Sequence, residues 1–175
     1  SDGSGVEIAQ TLMNIGFLYI EMKRGNEAIQ QLESALEKCK QIYGLNHPYT
    51  ASAFTSLADA NTLIKNYSKA NDIYDQASKI LLKYYGKDHF EYFINQFHYA
   101  KLLRLTGKSE EEKKIFVSID EIPKNYINKL SKYLSERELE NLIKIFKEYN
   151  QELYSLTQQR KDDAQLCIMS FENAI

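Results

Sequence analysis

The chain has 175 residues, of which 43% are hydrophobic and 26% are charged, with seven glycines and two prolines. This composition is typical of a globular domain with a real core, and it excludes collagen-like, low-complexity and strongly disordered chains. The 22 basic and 24 acidic residues leave a net charge of −2, which is too small to attract nucleic acid or anionic lipid through a long-range field.

The cysteines and the apolar segments of the sequence bear on its compartment and processing. Cys39 and Cys167 are too few for a disulfide framework, and neither belongs to a CxxC pair, so both are predicted to be thiols. No stretch approaches the roughly 20 apolar residues that span a bilayer, and no signal-peptide pattern opens the sequence. These observations predict a cytoplasmic protein without membrane insertion. Residues 1–5 resemble an artificial linker and are set aside.

An offset of 42 residues relates two parts of the chain to each other. The sequence YGLNH at 43–47 returns as YGKDH at 85–89, and Ala28 returns as Ala70. A fixed period of this length is typical of helical repeat proteins. At this offset small residues align with small residues and the turn sequence aligns with the turn sequence. We therefore predict two copies of one helical hairpin.

Apolar residues recur at helical spacing within each copy. In the first copy one stripe is formed by Ile8, Leu12, Ile15 and Tyr19, and a second by Ala28, Leu32, Ala35 and Cys39. Helix breakers at 25–26, 66–68 and 107–109 separate the two helices of each copy. The predicted repeats therefore cover about 6–47 and 48–89, each as helix, turn and helix.

A third, degenerate copy is predicted over about 90–121. Adding the period again places Ala100 and Gly107 correctly, but Gln96 stands where an apolar anchor belongs and Glu112 where the alanines stood. Ser109 followed by Glu112 fits a capping box at a helix start. Residues 122–175 lose the register and are predicted to form a C-terminal helical extension, either a cap or a divergent repeat.

The small and large residues of each copy resemble the signature of the tetratricopeptide repeat. The matching residues of the first copy are Leu12, Ile15, Gly16, Tyr19, Ala28, Leu32 and Ala35. The period of 42 residues and the Tyr-Gly-x-Asn/Asp-His turn are similar to the kinesin light chain subtype. The resemblance implies an all-α, right-handed superhelix of antiparallel helix pairs, in which His47 and His89 cap helices.

The resemblance also implies a concave groove, lined by the first helix of each repeat, that binds an extended or helical peptide. The residues that it places there are Gln10, Met13, Asn14, Phe17, Ser52, Thr55, Ser56, Asp59, Ile94, Phe97, His98, Lys101 and Arg104. The alternative is that Met13, Phe17 and Phe97 pack against a C-terminal helix folded into this groove. Met13 and Phe17 stand where chaperone-binding members carry Lys and Asn, which argues against a chaperone clamp.

Catalytic and nucleotide-binding patterns are missing from the sequence. It contains no HExxH, GxSxG, phosphate-binding glycine loop or paired Cys/His spacing, so we expect no enzyme, cofactor or metal site. The 13 tyrosines fall largely on packing stripes, which disfavours nucleic acid. We therefore predict a non-catalytic adaptor or scaffold that binds a protein or peptide. The alternative is a structural unit that self-associates, as a homodimer, through its C-terminal helix or the ends of the array.

Overall fold

The computed structural model describes residues 3–119, 121–130 and 132–135, together with 137, 138, 140, 144 and 147. The chain divides into two compact units, Ser1–Phe116 and Val117–Ile175. The helices are α1 Gly3–Glu21, α2 Gly25–Tyr43, α3 Pro48–Leu63, α4 Tyr67–Tyr85, α5 Phe90–Leu105, α6 Ser109–Ile119 and α7 Ile122–Leu130. Because α1 begins at Gly3, the end of the segment set aside as a linker is helical.

The helices of the first unit pack as antiparallel pairs that follow one another along the chain. α1 pairs with α2 and α3 with α4, while α2 also packs on α3 and α4 on α5. The first helices of successive repeats contact each other as well, α1 with α3 and α3 with α5. The predicted all-α fold of helical hairpins is confirmed. Most of the predicted C-terminal helical extension, from residue 136 onward, lies outside the described residues.

Small residues form the centre of the core. Ala28, Ala35, Ala58, Ala77 and Ala100 are fully buried. A methyl group at these positions lets neighbouring helix axes approach closely, and a larger side chain would force them apart. The periodic alanines in the sequence therefore mark the positions where helices contact each other.

The turn inside each repeat is made by the backbone. Lys23, Lys65 and Gly107, which are 42 residues apart, all have a positive φ, of 60°, 64° and 75°. The amide of Arg24 donates to the carbonyl oxygen of Tyr19 at 2.8 Å, which is the long-range bond of a Schellman helix end. Gly25, which the sequence indicated as the helix breaker, is instead the first residue of α2.

The turn between repeats uses the recurring Tyr-Gly-x-Asn/Asp-His sequence. Gly44 and Gly86 follow α2 and α4 with φ of 85° and 81°. The Nδ1 atoms of His47 and His89 each accept a hydrogen bond at 3.2 Å from the backbone amide two residues later. Both histidines are therefore helix N-caps, as predicted.

Candidate protein-binding site

The predicted contact residues lie on α1, α3 and α5, the first helices of the three repeats. We call the surface carried by these three helices the first-helix face. Their side chains differ widely in exposure and in the partners that they already have. Those differences decide which of them can contact a ligand.

Hydrogen bonds between α3 and α5 occupy several of the predicted residues. The three contacts, which we call the α3–α5 polar ladder, are Ser52 Oγ to Glu91 Oε2 at 3.2 Å, Asn95 Nδ2 to Thr55 Oγ1 at 3.0 Å, and His98 Nδ1 with Asp59 Oδ1 at 2.7 Å. Because each contact joins two repeats, these side chains serve to fix the register between repeats. The sequence assigned four of them, Ser52, Thr55, Asp59 and His98, to a ligand.

The third contact of the ladder extends into the core. The hydroxyl of Tyr74, on α4, donates to the same Asp59 oxygen that contacts His98. Tyr74 is buried and stacks on Tyr99 with ring centroids 5.6 Å apart. Burial, and next the charge of Asp59, raise the pKa of Tyr74 well above its usual value of 10.0.

Tyr74→Phe should make the unfolding free energy less dependent on alkaline pH. Above about pH 10 a tyrosine in the unfolded chain ionises, whereas Tyr74 in the folded protein keeps its proton. The unfolded state is then favoured, so wild-type stability falls as the pH rises through this range. Urea unfolding between about pH 8 and 11.5 should show a shallower fall for Tyr74→Phe. Tyr99→Phe should flatten the pH dependence of the free energy of unfolding less, because burial raises the pKa of half-buried Tyr99 less strongly. Parallel curves for wild type and Tyr74→Phe would contradict this assignment.

The polar and aromatic residues predicted on α5 are also largely engaged. Phe97 is fully buried and Thr55, on α3, is nearly so, which removes both from the residues that an incoming ligand could contact. The guanidinium of Arg104 pairs with the buried carboxylate of Glu112 at 2.6 Å. The Lys101 ammonium lies 5.6 Å from the centroid of the Phe97 ring. Arg104 therefore has a structural role, because its guanidinium pairs with a buried carboxylate.

The accessible part of the first-helix face lies on α1. Gln10, Asn14 and Phe17 are exposed there, and Gln10 Nε2 donates to Asn14 Oδ1 at 3.1 Å. Ser56 and Ile94, on α3 and α5, are half-buried. The predicted residues are therefore divided between an engaged set on α3 and α5 and an open set on α1.

A cleft of about 340 Å³ adjoins this open set. It is lined by Val6, Glu7, Ala9, Gln10, Thr11, Met13, Cys39, Tyr43 and Tyr49. α1 forms one wall, and the other is formed by the end of α2 and the start of α3. The rings of Tyr43 and Tyr49 lie with centroids 5.1 Å apart. We call this feature the α1 cleft.

Sequence reasoning placed Gln10 and Met13 at the site but missed the second wall. In the sequence Tyr43 stands out only as part of the repeated turn, and Tyr49 carries no signal beyond its position after Pro48. Cys39 is buried, and burial raises the pKa of its thiol. A protonated thiol is a poor nucleophile, so the cleft offers shape and apolar surface rather than reactive chemistry.

Within the part of the chain that the structure describes, no group of three or more His, Cys, Asp or Glu side chains is arranged to hold a metal ion. None of its helices combines the length and apolarity needed to cross a membrane.

Stacked hairpins with a fixed period and a cleft on the first helix define an α-helical repeat protein. Residues 7–83 match the family model of the tetratricopeptide repeat. Residues 7–83 of the chain are therefore tetratricopeptide repeats.

Solved structures with the same fold carry repeats of the kinesin light chain type. One contains the nearly identical TPR-like repeats of such a protein from Podosopora anserina, with a TM-score of 0.59 and 12% identity over 86% of this chain and 75% of that chain. A variant of the same protein gives a TM-score of 0.58 over 87% of this chain and 76% of that chain. At this identity the likeness shows the fold alone.

Relatives among characterised proteins correct the predicted compartment. The chain is 28% identical over 132 residues to the RxLR effector protein SFI4 of Phytophthora infestans and 30% identical over 107 residues to the secreted RxLR effector protein RXLR-C07 of Plasmopara halstedii. These alignments cover 75% and 61% of this chain but 39% and 33% of the relatives. The prediction of a cytoplasmic protein is wrong on this evidence, because the relatives point to secretion.

Proposed function

We propose that this chain is the protein-binding domain of a secreted effector, and that it holds a segment of another protein along α1. The segment places an apolar side chain in the α1 cleft and runs past Gln10, Asn14 and Phe17. The domain acts by binding and has no catalytic step. The observation that carries the proposal is the cleft itself, which lies beside the exposed set of predicted contact residues.

The size and lining of the α1 cleft suit an apolar side chain of a peptide. Its volume of about 340 Å³ is at the lower end of the roughly 300–1,000 Å³ of small-molecule sites. Met13, Tyr43 and Tyr49 supply apolar and aromatic walls. Burial of one large apolar side chain against such walls contributes about 1.5–3 kcal/mol, which is enough to anchor a peptide.

Polar groups beside the α1 cleft match the needs of a peptide backbone. The amide side chains of Gln10 and Asn14 each carry donors and an acceptor, and one hydrogen bond between them leaves further capacity on both. Glu7, which also lines the cleft, adds a negative charge. We therefore expect a ligand with an apolar anchor next to a basic residue.

The histidines and the buried cysteine support a binding role without catalysis. His47 and His89 use Nδ1 to cap helices, and His98 contacts Asp59. The raised pKa of Cys39 keeps its sulfur protonated. Each of these side chains has a structural explanation that requires no substrate.

Phe17→Ala should weaken peptide binding at least about fivefold while helical content stays unchanged. Peptides would be selected by phage display on the immobilised chain, and the affinity of a synthetic consensus peptide would be measured by calorimetry. Phe17 is 56% exposed, so its removal takes away contact area at the site without opening the core.

Leu45→Ala is the matched control, because Leu45 is 54% exposed but lies in the turn after α2. Leu45→Ala should bind the consensus peptide with the same affinity as the wild type. Equal affinities for wild type and Phe17→Ala, with circular dichroism unchanged, would reject the α1 site.

A second candidate is self-association, which the sequence analysis placed at the C-terminal helix or at the ends of the array. Most of the predicted C-terminal helix lies outside the described residues. α1 is described, and its exposed apolar residues Ile8 and Leu18 favour this candidate.

A further inference from the structure

The α1 cleft combines a carboxylate with aromatic rings. Among the described residues that line it, Glu7 alone carries a charge at pH 7, and its side chain is exposed. Tyr43 and Tyr49 lie on the other wall, and Tyr49 is 54% exposed. Within the described residues no cation pairs with the Glu7 carboxylate. The ammonium of Lys40, near this wall in sequence, lies 5.5 Å from the centroid of the Phe54 ring and does not line the cleft.

The equivalent positions of the next repeat do not form this combination. The residues 42 positions after Gln10 and Tyr49 are Ser52 and Glu91, and a hydrogen bond of 3.2 Å joins these two side chains. Gln10 instead donates to a side chain of its own helix. The residue 42 positions after Glu7 is a tyrosine, Tyr49 itself. Positions that the repeat fold requires recur with the period, so the pairing of a carboxylate with an open tyrosine ring is particular to the α1 cleft.

A guanidinium of this chain shows how such groups hold a cation. The Cζ atom of Arg24 lies 4.7 Å from the centroid of the Tyr19 ring, and its Nη2 lies 2.9 Å from Glu27 Oε1. A planar guanidinium can stack on an aromatic face and pair with a carboxylate at the same time. The ammonium of lysine is a compact and more strongly hydrated charge. A carboxylate beside exposed tyrosine rings therefore favours arginine over lysine as the ligand.

We propose that the α1 cleft recognises an arginine of the bound segment, whose guanidinium lies between the Glu7 carboxylate and the Tyr49 ring. This inference rests on the proposed function, and it identifies the basic residue next to the apolar anchor. The methylene groups of the arginine and the neighbouring apolar side chain share the walls formed by Met13 and Tyr43. The partner is therefore a protein segment that carries an arginine beside a large apolar residue.

Peptide selection and a charge-free analogue of arginine test the proposal. Phage display on the immobilised chain should enrich peptides with an arginine next to a large apolar residue. Calorimetry then compares the synthetic consensus peptide with a version that carries citrulline, which has nearly the shape of arginine but no charge. Citrulline should weaken binding to the wild type at least about tenfold, because a hydrogen bond to a charged group is lost.

Two variants locate the contact. Glu7→Gln removes the negative charge with little change of shape, so its affinities for the arginine and citrulline peptides should differ by less than about threefold. Glu21→Gln is the matched control, because Glu21 is also an exposed glutamate of α1 but lies about 21 Å further along the helix. It should keep the full tenfold difference. Tyr49→Leu should reduce the preference for the arginine peptide over a lysine version.

The outcomes separate this proposal from the proposed function. A consensus without arginine would overturn the proposal, and so would equal wild-type affinities for the arginine and citrulline peptides. A tenfold difference retained in Glu7→Gln would overturn it as well. The proposed function itself fails if no peptide is enriched or if Phe17→Ala binds like the wild type. A peptide that depends on Phe17 but not on its own arginine would therefore refute the present inference alone.

Discussion

Arg104→Ala is expected to lower the free energy of unfolding by about 3–5 kcal/mol, because it removes the cation that neutralises a buried carboxylate. Nε and Nη2 of Arg104 both lie 2.6 Å from Glu112 Oε1, and the Glu112 side chain is 2% exposed. Little solvent is available to stabilise the charge once the guanidinium is gone. Urea unfolding at pH 7, followed by circular dichroism, measures the loss.

Two comparisons separate this effect from ordinary loss of a surface charge. The Lys113–Glu110 pair has side chains that are 44% and 83% exposed, and Lys113→Ala should cost at most about 1 kcal/mol. The double variant Arg104→Met/Glu112→Met replaces the buried pair by apolar chains of similar length, and it should recover most of the loss. A double variant as unstable as Arg104→Ala would show that the ion pair is not the cause.

Gly16→Val is expected to lower the free energy of unfolding by about 2–3 kcal/mol through overpacking. A Cβ atom at Gly16 would lie 2.5 Å from Cγ and 2.6 Å from Cδ2 of Leu32. Leu32 is fully buried, so it has no free space into which to move. Gly16→Ala should show a smaller loss, because the better helix propensity of alanine offsets about 1 kcal/mol. Thermal and urea unfolding of both variants measure these losses in the free energy of unfolding.

Gly25→Val is the control for the contact at Gly16. A Cβ atom at Gly25 would lie 2.4 Å from Cγ2 of Ile64, but Ile64 is partly exposed and can turn toward solvent. Gly25→Val should therefore lower the free energy of unfolding less than Gly16→Val does. Leu32→Ala combined with Gly16→Val should lose less stability than the two changes added together. Additive losses would contradict a direct clash.

Much of the fold was predictable because helix packing requires small residues at regularly spaced positions of the sequence. A buried methyl group at Ala28 and Ala70 is needed wherever two helices approach closely, so the 42-residue period and the hairpins could be inferred. The turn inside each repeat was placed less well. Lys23 and Lys65 hold the positive φ that glycine usually adopts, and backbone hydrogen bonds stabilise that conformation without a signal in side-chain type.

The site was less predictable, because polar side chains give no sign of their partners. Gln96 looked like a lost apolar anchor, yet it is buried and its Nε2 donates to Ser78 Oγ at 2.7 Å. Glu112 looked equally degenerate and is balanced by Arg104, which the sequence had assigned to a ligand. Such pairs form between helices, so their members have no fixed spacing that a sequence pattern could reveal.

The compartment could not be inferred from helix periodicity at all. Packing stripes, alanines and turns are set by the contacts within the repeats, and these contacts are the same wherever the protein acts. The correction came from the relatives.

The backbone-made turns at Lys23, Lys65 and Gly107 separate geometry from surface chemistry. Since the main chain forms the bend, residues around it can be exchanged while the two helices of each hairpin keep the same angle. The surface around these turns can therefore change in sequence without a change in the packing of the helices. The lysines at two of these bends are an example of that freedom.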